Sequence, residues 1–374
     1  MILRIKPLDT LFFRTSRPFD MGAETFAEAM FPPSPATFYG ALRTFLILEK
    51  EGLAKFYSKE FKDEVLGTPY EKGSLELKGP VLGKEDSLYF PAPADFVKVK
   101  KNKKEKLVPL TLKNVDFYSE YPLEKCLSFS GEEKAEPASG FIEDLEFKDY
   151  LEGKASELRI TLLSNFLKTI QKIGIKRDKT SFTSKEGYLY RIPVLEFKKE
   201  ASFLIKVNDI ESFPEKGVFT LGGEGKLAEF ERLNTKQSEE DPFEFLKNVN
   251  FRLKDGIFKL YLATPAYFKK GWVPSWLDEN RGFEGEFRGI KLKLVAVAFK
   301  KFRLVGGWNF AENKPKPVCK MVAEGSVYYF KVLDDSDEQR IKEAFHFKNI
   351  SDVAENETFS PKEGFGLALV GGVL

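Results

Sequence analysis

Two successive runs of apolar segments, each spelling strand, short helix, two strands, short helix and closing strand, predict an α+β chain. The architecture they imply is two tandem ferredoxin-like (RRM-like, βαββαβ) domains. The second run is the clearer. It places strands near 256–263, 290–299, 325–332 and 366–373, with a helix at 337–345 before the last of them. The first run opens with an apolar strand over residues 1–13 and a helix entered at Thr37. It continues through a central hairpin and a short element near Ile210, and closes on a strand from Lys226. Between the runs lies NTKQSEED, residues 234–241, a polar stretch suited to a linker. The expected domains are therefore 1–235 and 236–374. The first is read as carrying a large insertion over about 67–153, where short apolar pieces alternate with Gly, Pro and charge.

Composition narrows the class. The chain has 374 residues, 42% of them hydrophobic and 37 of them Phe, which is enough for full-sized cores. Lys and Arg (59) nearly balance Asp and Glu (57), leaving a net charge of +2. That is no bulk polycation, so nucleic-acid binding has to come from local patches. The Lys- and Glu-rich composition, with glutamine only at Gln171, Gln237 and Gln339, fits a thermophile. Cys126 and Cys319 make neither a metal-ligand spacing nor a disulfide framework. The N-terminus reads as a strand containing Arg4 and Lys6, not a signal peptide, and no window has the apolar length of a membrane span. A cytoplasmic protein without membrane contact, cofactor or metal is expected.

Residues 9–43, DTLFFRTSRPFDMGAETFAEAMFPPSPATFYGALR, are the stretch around which function is expected to gather. A strand feeds a loop holding Arg14 and Arg17, and the loop re-enters structure through Phe31-Pro32-Pro33-Ser34-Pro35. Phe38, Leu42, Phe45 and Leu46 then recur at helical spacing. Ser34 is placed as N-cap and Pro35 in the first turn, where its missing N–H costs no hydrogen bond. Free N–H groups over Ser34–Thr37, the helix dipole and the two guanidiniums together predict a phosphate site, with Arg43 one turn further on. Ordinary loop punctuation and solvated arginines would give the same letters.

Further along, KVKKNKKEK at 98–106 reads as a solvated hairpin tip. Residues 173–207 read as a hairpin, with Lys176, Arg177 and Lys179 beside Phe182 and Tyr188. That mixture of cations and aromatics suits single-stranded nucleic acid, and equally an edge strand blunted by lysines. In 217–233, Gly222, Gly223 and Gly225 permit close backbone approach and positive φ, and Lys226 follows them. The spacing is neither a Walker loop nor a dinucleotide fingerprint. Trp308 stands near Lys314, Lys316 and Lys320 in GGWNFAENKPKPVCKM. The ring is read as part of a stacking and phosphate surface, or as a plug between the two halves.

Catalysis has little to work with. His346 is the sole histidine, between Phe345 and Phe347 at the end of a helix, so neither a triad nor a His-rich metal site can be written. The acidic pairs Glu143-Asp144 and Asp334-Asp335 lack a metal-binding pattern.

PLDTLFFR, the RPFDMG loop and FPPSPATFYGALR resemble the start of the RAMP proteins of CRISPR systems, in particular the third-subunit family of the type III-B (Cmr) effector complex. GIKRD…EGYLY, TPAYFKKGWVP, GGWNFAENKPKPVCKM and GFGLALVGG extend the likeness to the far end of the chain. The resemblance implies a non-catalytic crRNA-binding subunit that holds the 5′ repeat-derived tag. It also implies contacts with the large Palm-domain subunit and with a backbone RAMP subunit, and a glycine-rich loop that hugs RNA. Two other readings stay open: a RAMP endoribonuclease processing precursor crRNA with His346, and an adaptor that touches only proteins.

Overall fold

In β1 (Ile2–Pro7), Leu3 and Ile5 are fully buried while Arg4 and Lys6 are not, the two-residue alternation of a strand with one face on a core. The computed structural model describes residues 1–16, 28–50, 52–101, 104–115, 120–178, 180–181, 183–208, 210–211, 213–233 and 241–374. The expectations placed on Arg17, Lys179 and Phe182, and nearly all of the proposed linker, fall outside them, as does the side chain of Lys176.

After β1 come α1 (Pro35–Lys50), α2 (Leu53–Tyr57), β2 (Leu77–Lys84) and β3 (Ser87–Pro91). Short strands follow: β4 (Phe96–Lys101), β5 (Lys104–Pro109), β6 (Thr111–Asn114), β7 (Lys125–Ser128), β8 (Ala135–Pro137) and β9 (Phe141–Glu143). Helix α3 (Asp144–Leu151) leads to β10 (Leu167–Arg177), β11 (Ser184–Phe197), β12 (Ala201–Val207), β13 (Lys216–Thr220) and β14 (Leu227–Leu233). The second half begins with α4 (Glu244–Lys247), β15 (Ile257–Leu262), β16 (Leu277–Asp278), β17 (Glu284–Phe287) and β18 (Ile290–Ala298). It continues with β19 (Arg303–Val305), β20 (Trp308–Asn309), β21 (Lys314–Pro315), β22 (Cys319–Met321) and β23 (Val327–Val332), then α5 (Glu338–Phe345), β24 (Lys348–Asn349) and β25 (Leu367–Gly372). The fold is mixed, mostly strands with few helices.

Two seven-stranded antiparallel sheets organise it, in the orders β13-β14-β1-β12-β2-β3-β9 and β16-β17-β18-β23-β15-β25-β24. Helix α1 buries Phe38, Tyr39, Leu42, Leu46 and Ile47 on the first sheet, and Phe38 meets Phe203 edge-on at 5.0 Å. Helix α5 is short and is set by its cap, since the Asp337 carboxylate accepts the Arg340 N–H at 2.9 Å. Its Ile341, Ala344 and Phe345 are buried under the second sheet. The two sheets share a core. Ile2, Val81 and Leu204 from the first and Tyr261, Leu367 and Leu369 from the second lie in one apolar cluster with Phe147, Tyr150 and Leu151 of α3.

The 67–153 stretch, expected as an insertion carried on the first domain, supplies β2, β3 and β9 to the first sheet, and β2 pairs directly with β12. Residues 173–207, read as a hairpin, are three strands in two sheets, β10 paired with β11 and β12 in the first sheet. A polar turn at Lys198–Glu200, closed by Ala201 N–H to Lys198 O, turns β11 into β12. The KVKKNKKEK segment does form a hairpin, β4 with β5, and Lys98 pairs with Glu105 (3.7 Å) and Glu136 (3.3 Å).

Candidate nucleic-acid interface

The segment from Asp9 to Ser16 carries Arg14 and meets the glycine turn that holds Gly222, Gly223 and Lys226. It leaves β1 and runs between three other pieces of chain. On one side the Leu11 N–H and C=O exchange hydrogen bonds with Leu195 of β11, at 2.9 and 2.7 Å. On another, the glycine turn joining β13 to β14 leans on it, with Gly223 N–H donating to Phe12 O at 2.8 Å. Beyond Arg14, Ser16 Oγ donates to Leu304 O of β19 at 3.1 Å. Arg14 is exposed and forms a bridge with Ala29.

Glycine is needed in that turn for two reasons. Gly222 sits at φ 82°, and a Cβ there would lie 2.5 Å from Phe12 O, so a side chain would push the turn off the segment. Gly225, at φ 61°, faces open space. Gly222, Glu224 and Gly225 are exposed, while the Gly223 and Lys226 N–H groups are bonded to Phe12 O and Gly223 O.

Several predicted phosphate ligands have internal partners. Arg43 Nε and Nη2 donate to Leu66 O (2.7 Å) and Thr68 O (2.6 Å), and its guanidinium lies over Phe56 at 5.5 Å. It ties α1 to the loop after α2, and burial lowers its pKa. Arg43→Ala is expected to cost about 2 kcal/mol in urea unfolding with no change in RNA affinity, because two charge-assisted bonds to half-buried carbonyls disappear. Lys226 Nζ is 2.6 Å from Asp9 Oδ2 and mostly covered, and this bond holds the Asp9 carboxyl below its ordinary pKa. Lys316 Nζ donates to Thr358 O at 3.1 Å and lies 3.7 Å from the buried Glu363 carboxylate. These three cations, expected as phosphate ligands, each have a partner within the fold.

The start of α1 is also corrected. Ser34 is 4% exposed and its Oγ has no hydrogen-bond partner among the described residues, so it does not cap through its side chain. Its carbonyl accepts the Thr37 N–H at 3.0 Å. Pro33, Ser34 and Pro35 are buried and Thr37 is half-buried. From the second half, Gly364 presses close to Pro35 and Arg303 donates to Pro32 O. Tertiary packing therefore covers the helix end that sequence left open to phosphate.

Trp308 is not a plug. It is 48% exposed on the small β20–β21 hairpin, opposite Pro315. Arg177 ends β10 at a bulge, in the long β10–β11 hairpin. His346 is buried, with Nε2 2.9 Å from Leu246 O and Nδ1 accepting Val370 N–H at 3.1 Å, and burial lowers its pKa to about 4. Sequence alone missed Ser16, Phe12 and Asp9, whose partners (Leu304 O, Gly223 N–H and Lys226) are distant in the chain and leave no compositional mark.

The family model for the CRISPR-associated protein Cas_Cmr3 matches residues 3–373, nearly the whole chain. The chain belongs to the Cmr3 family. That family is CRISPR-associated. The CMR subunit Cmr3 of Saccharolobus solfataricus is 26% identical over 248 residues, which is 63% of this chain and 66% of that protein, just under two thirds of its length. A chain of the type III-B Cmr-beta complex bound to cognate target RNA and AMPPnP superposes with a TM-score of 0.49 at 19% identity, covering 88% of this chain and 86% of that one. A chain of the Csm3-Csm4 subcomplex of the type III-A interference complex gives 0.34 at 12%, covering 90% and 95%. Among the described residues no helix is long and apolar enough to cross a membrane.

Proposed function

We propose that this Cmr3-family chain is the non-catalytic crRNA-binding subunit of its complex, holding the 5′ repeat-derived tag of the guide. In this reading it also bridges the large Palm-domain subunit to the backbone RAMP subunits. The observation that supports it best is the exposed glycine turn resting on the Asp9–Ser16 segment, with exposed Arg14 at the segment's far end. The exposed backbone at Gly222, Glu224 and Gly225 and a guanidinium suit a sugar-phosphate backbone, whereas bases are read by stacking and at their edges. Arg177 on the long hairpin and Trp308 on its own small hairpin would add a cation and a stacking face. The architecture is compatible with two ferredoxin-like domains, 1–235 and 236–374. The central strands run β14-β1-β12-β2 and β25-β15-β23-β18, both in the fourth-first-third-second order of a split βαβ unit. The first unit has α1 after its first strand and the second has α5 before its last.

Crosslinking the assembled complex and mapping the peptides that carry guide-RNA nucleotides tests the assignment. Peptides containing Arg14 and Gly222–Lys226 are expected among them, and their absence with other peptides labelled would remove the site. Arg14→Ala should lower the salt slope of RNA binding by about 0.7, the value for one lost phosphate contact on a single strand. Gly222→Val should weaken binding by displacing the turn from Phe12.

A further inference from the structure

We infer that the second half contributes a base-stacking platform to the same RNA site, built from Phe302, Leu304, Trp308 and Phe310 with Lys320, and that it accepts consecutive unpaired nucleotides of the guide. This rests on the RNA-binding reading above and extends it to a surface on β19–β22. Leu304 and Lys320 lie directly opposite each other on β19 and β22, so both side chains stand on one face. Lys320 Nζ sits 4.1 Å from the Phe302 ring centroid, placing an ammonium against an exposed aromatic. Beyond the strand, Trp308 (48% exposed) and Phe310 (59%) project from the β20–β21 hairpin, and Leu304 is 54% exposed. A run of large apolar side chains left in water marks a contact surface.

Two observations choose nucleic acid as the occupant. The first is charge. Residues 299–321 hold six Lys and Arg against the single Glu312, in a chain whose charges otherwise nearly cancel. Arg303, Lys300 and Lys316 are held within the fold and Lys314 pairs with Glu312 at 3.1 Å, while Lys301 and Lys320 are exposed. The second is continuity. The Ser16 hydroxyl bonds to Leu304 O, and Gly306 approaches the same hydroxyl so closely that a Cβ would lie 3.0 Å from it. The platform therefore begins where the Arg14 segment ends. A strand whose phosphates pass Arg14 and the glycine turn would deliver its next bases onto these rings. Separated aromatics flanked by ammonium groups are the means by which proteins hold single-stranded nucleic acid without reading sequence.

The test uses the assembled complex carrying a guide with photoreactive uridines placed one at a time through the tag. In the wild type, uridines adjacent to those that label the Arg14 peptide should label the 299–321 peptide. The Trp308→Ala/Phe310→Ala variant should lose that label and bind the guide roughly ten-fold or more weakly, with the salt slope unchanged, since stacking releases no counterions. Trp308→Phe with Phe310 intact should restore most of the affinity. Three results separate the ideas. Labelling at Arg14 with none in 299–321 overturns the platform and leaves the RNA reading standing. No label on any peptide of this chain overturns both. If the alanine variant binds guide normally but fails to retain the large subunit, the surface is a protein contact and the platform is wrong.

Discussion

Asp95→Ala is expected to destabilise the protein by about 3–5 kcal/mol, read as a lower urea midpoint at an unchanged slope. Asp95 is 2% exposed, and its carboxylate accepts hydrogen bonds from Tyr150 Oη (3.0 and 3.1 Å) and Tyr329 Oη (2.8 Å). Lys259 Nζ lies 3.7 Å away, 3.5 Å from the Tyr150 ring centroid, with no hydrogen-bond partner of its own among the described residues. Burial pulls the Lys259 pKa down to about 8, and Asp95 acts against that fall. Removing the carboxylate strands two tyrosine hydroxyls and obliges the lysine to lose its proton or stay charged without a counterion. Lys259→Met should also destabilise, because the carboxylate stays buried without its counterion, but less than Asp95→Ala, since an apolar chain of similar length fills the space and both tyrosine donors are kept. A loss of only about 1 kcal/mol in Asp95→Ala would mean that charge pairing and the tyrosine hydrogen bonds contribute little to this cluster. The cluster joins both halves of the molecule: Asp95 and Tyr150 come from the first, Lys259 and Tyr329 from the second.

That junction was illegible in the sequence. Asp95 lies in a Gly- and Pro-punctuated stretch that reads as insertion, and nothing near Lys259 names a partner more than 150 residues away. The strands of the second half were legible because each alternates or runs apolar between turn residues. The expected 290–299 and 325–332 became β18 (Ile290–Ala298) and β23 (Val327–Val332). Helix α1 was legible from the spacing of Phe38, Leu42 and Leu46. Strand β2 was not, since Gly79, Pro80 and Gly83 within it read as loop, although Val81 and Leu82 are core residues.

For the candidate site, residue type proved a poor guide to availability. Arg43, Lys226 and Lys316 have the chemistry of phosphate ligands, but neighbouring carbonyls and carboxylates hold them. The glycines were better markers. Positive φ and close approach are backbone requirements that the residue name announces, and Gly222 shows both against Phe12.

His346 gives the second large effect. From neutral pH, stability should fall as pH drops through 6.5 and level off below about 4, by roughly 3 kcal/mol in total, and His346→Gln should lack this component. Burial is the main cause of the lowered pKa, with the Lys342 charge adding to it. The sign follows from proton counting. Between the two pKa values the unfolded chain binds a proton on this ring and the folded chain does not, so acid favours unfolding. The hydrogen bonds require the neutral ring with its proton on Nε2, because Nδ1 accepts the Val370 N–H while Leu246 O needs a donor. Subtracting the pH–stability curve of His346→Gln from that of the wild type cancels the carboxylates and leaves this ring alone. A flat difference between pH 4 and 7 would mean that His346 is solvated and free to titrate. The same geometry bears on RNA cleavage. A general base needs an accessible nitrogen that titrates near working pH, and here both nitrogens are held by the backbone beneath the surface. His346→Ala should therefore change stability while leaving guide RNA as intact as the wild type does.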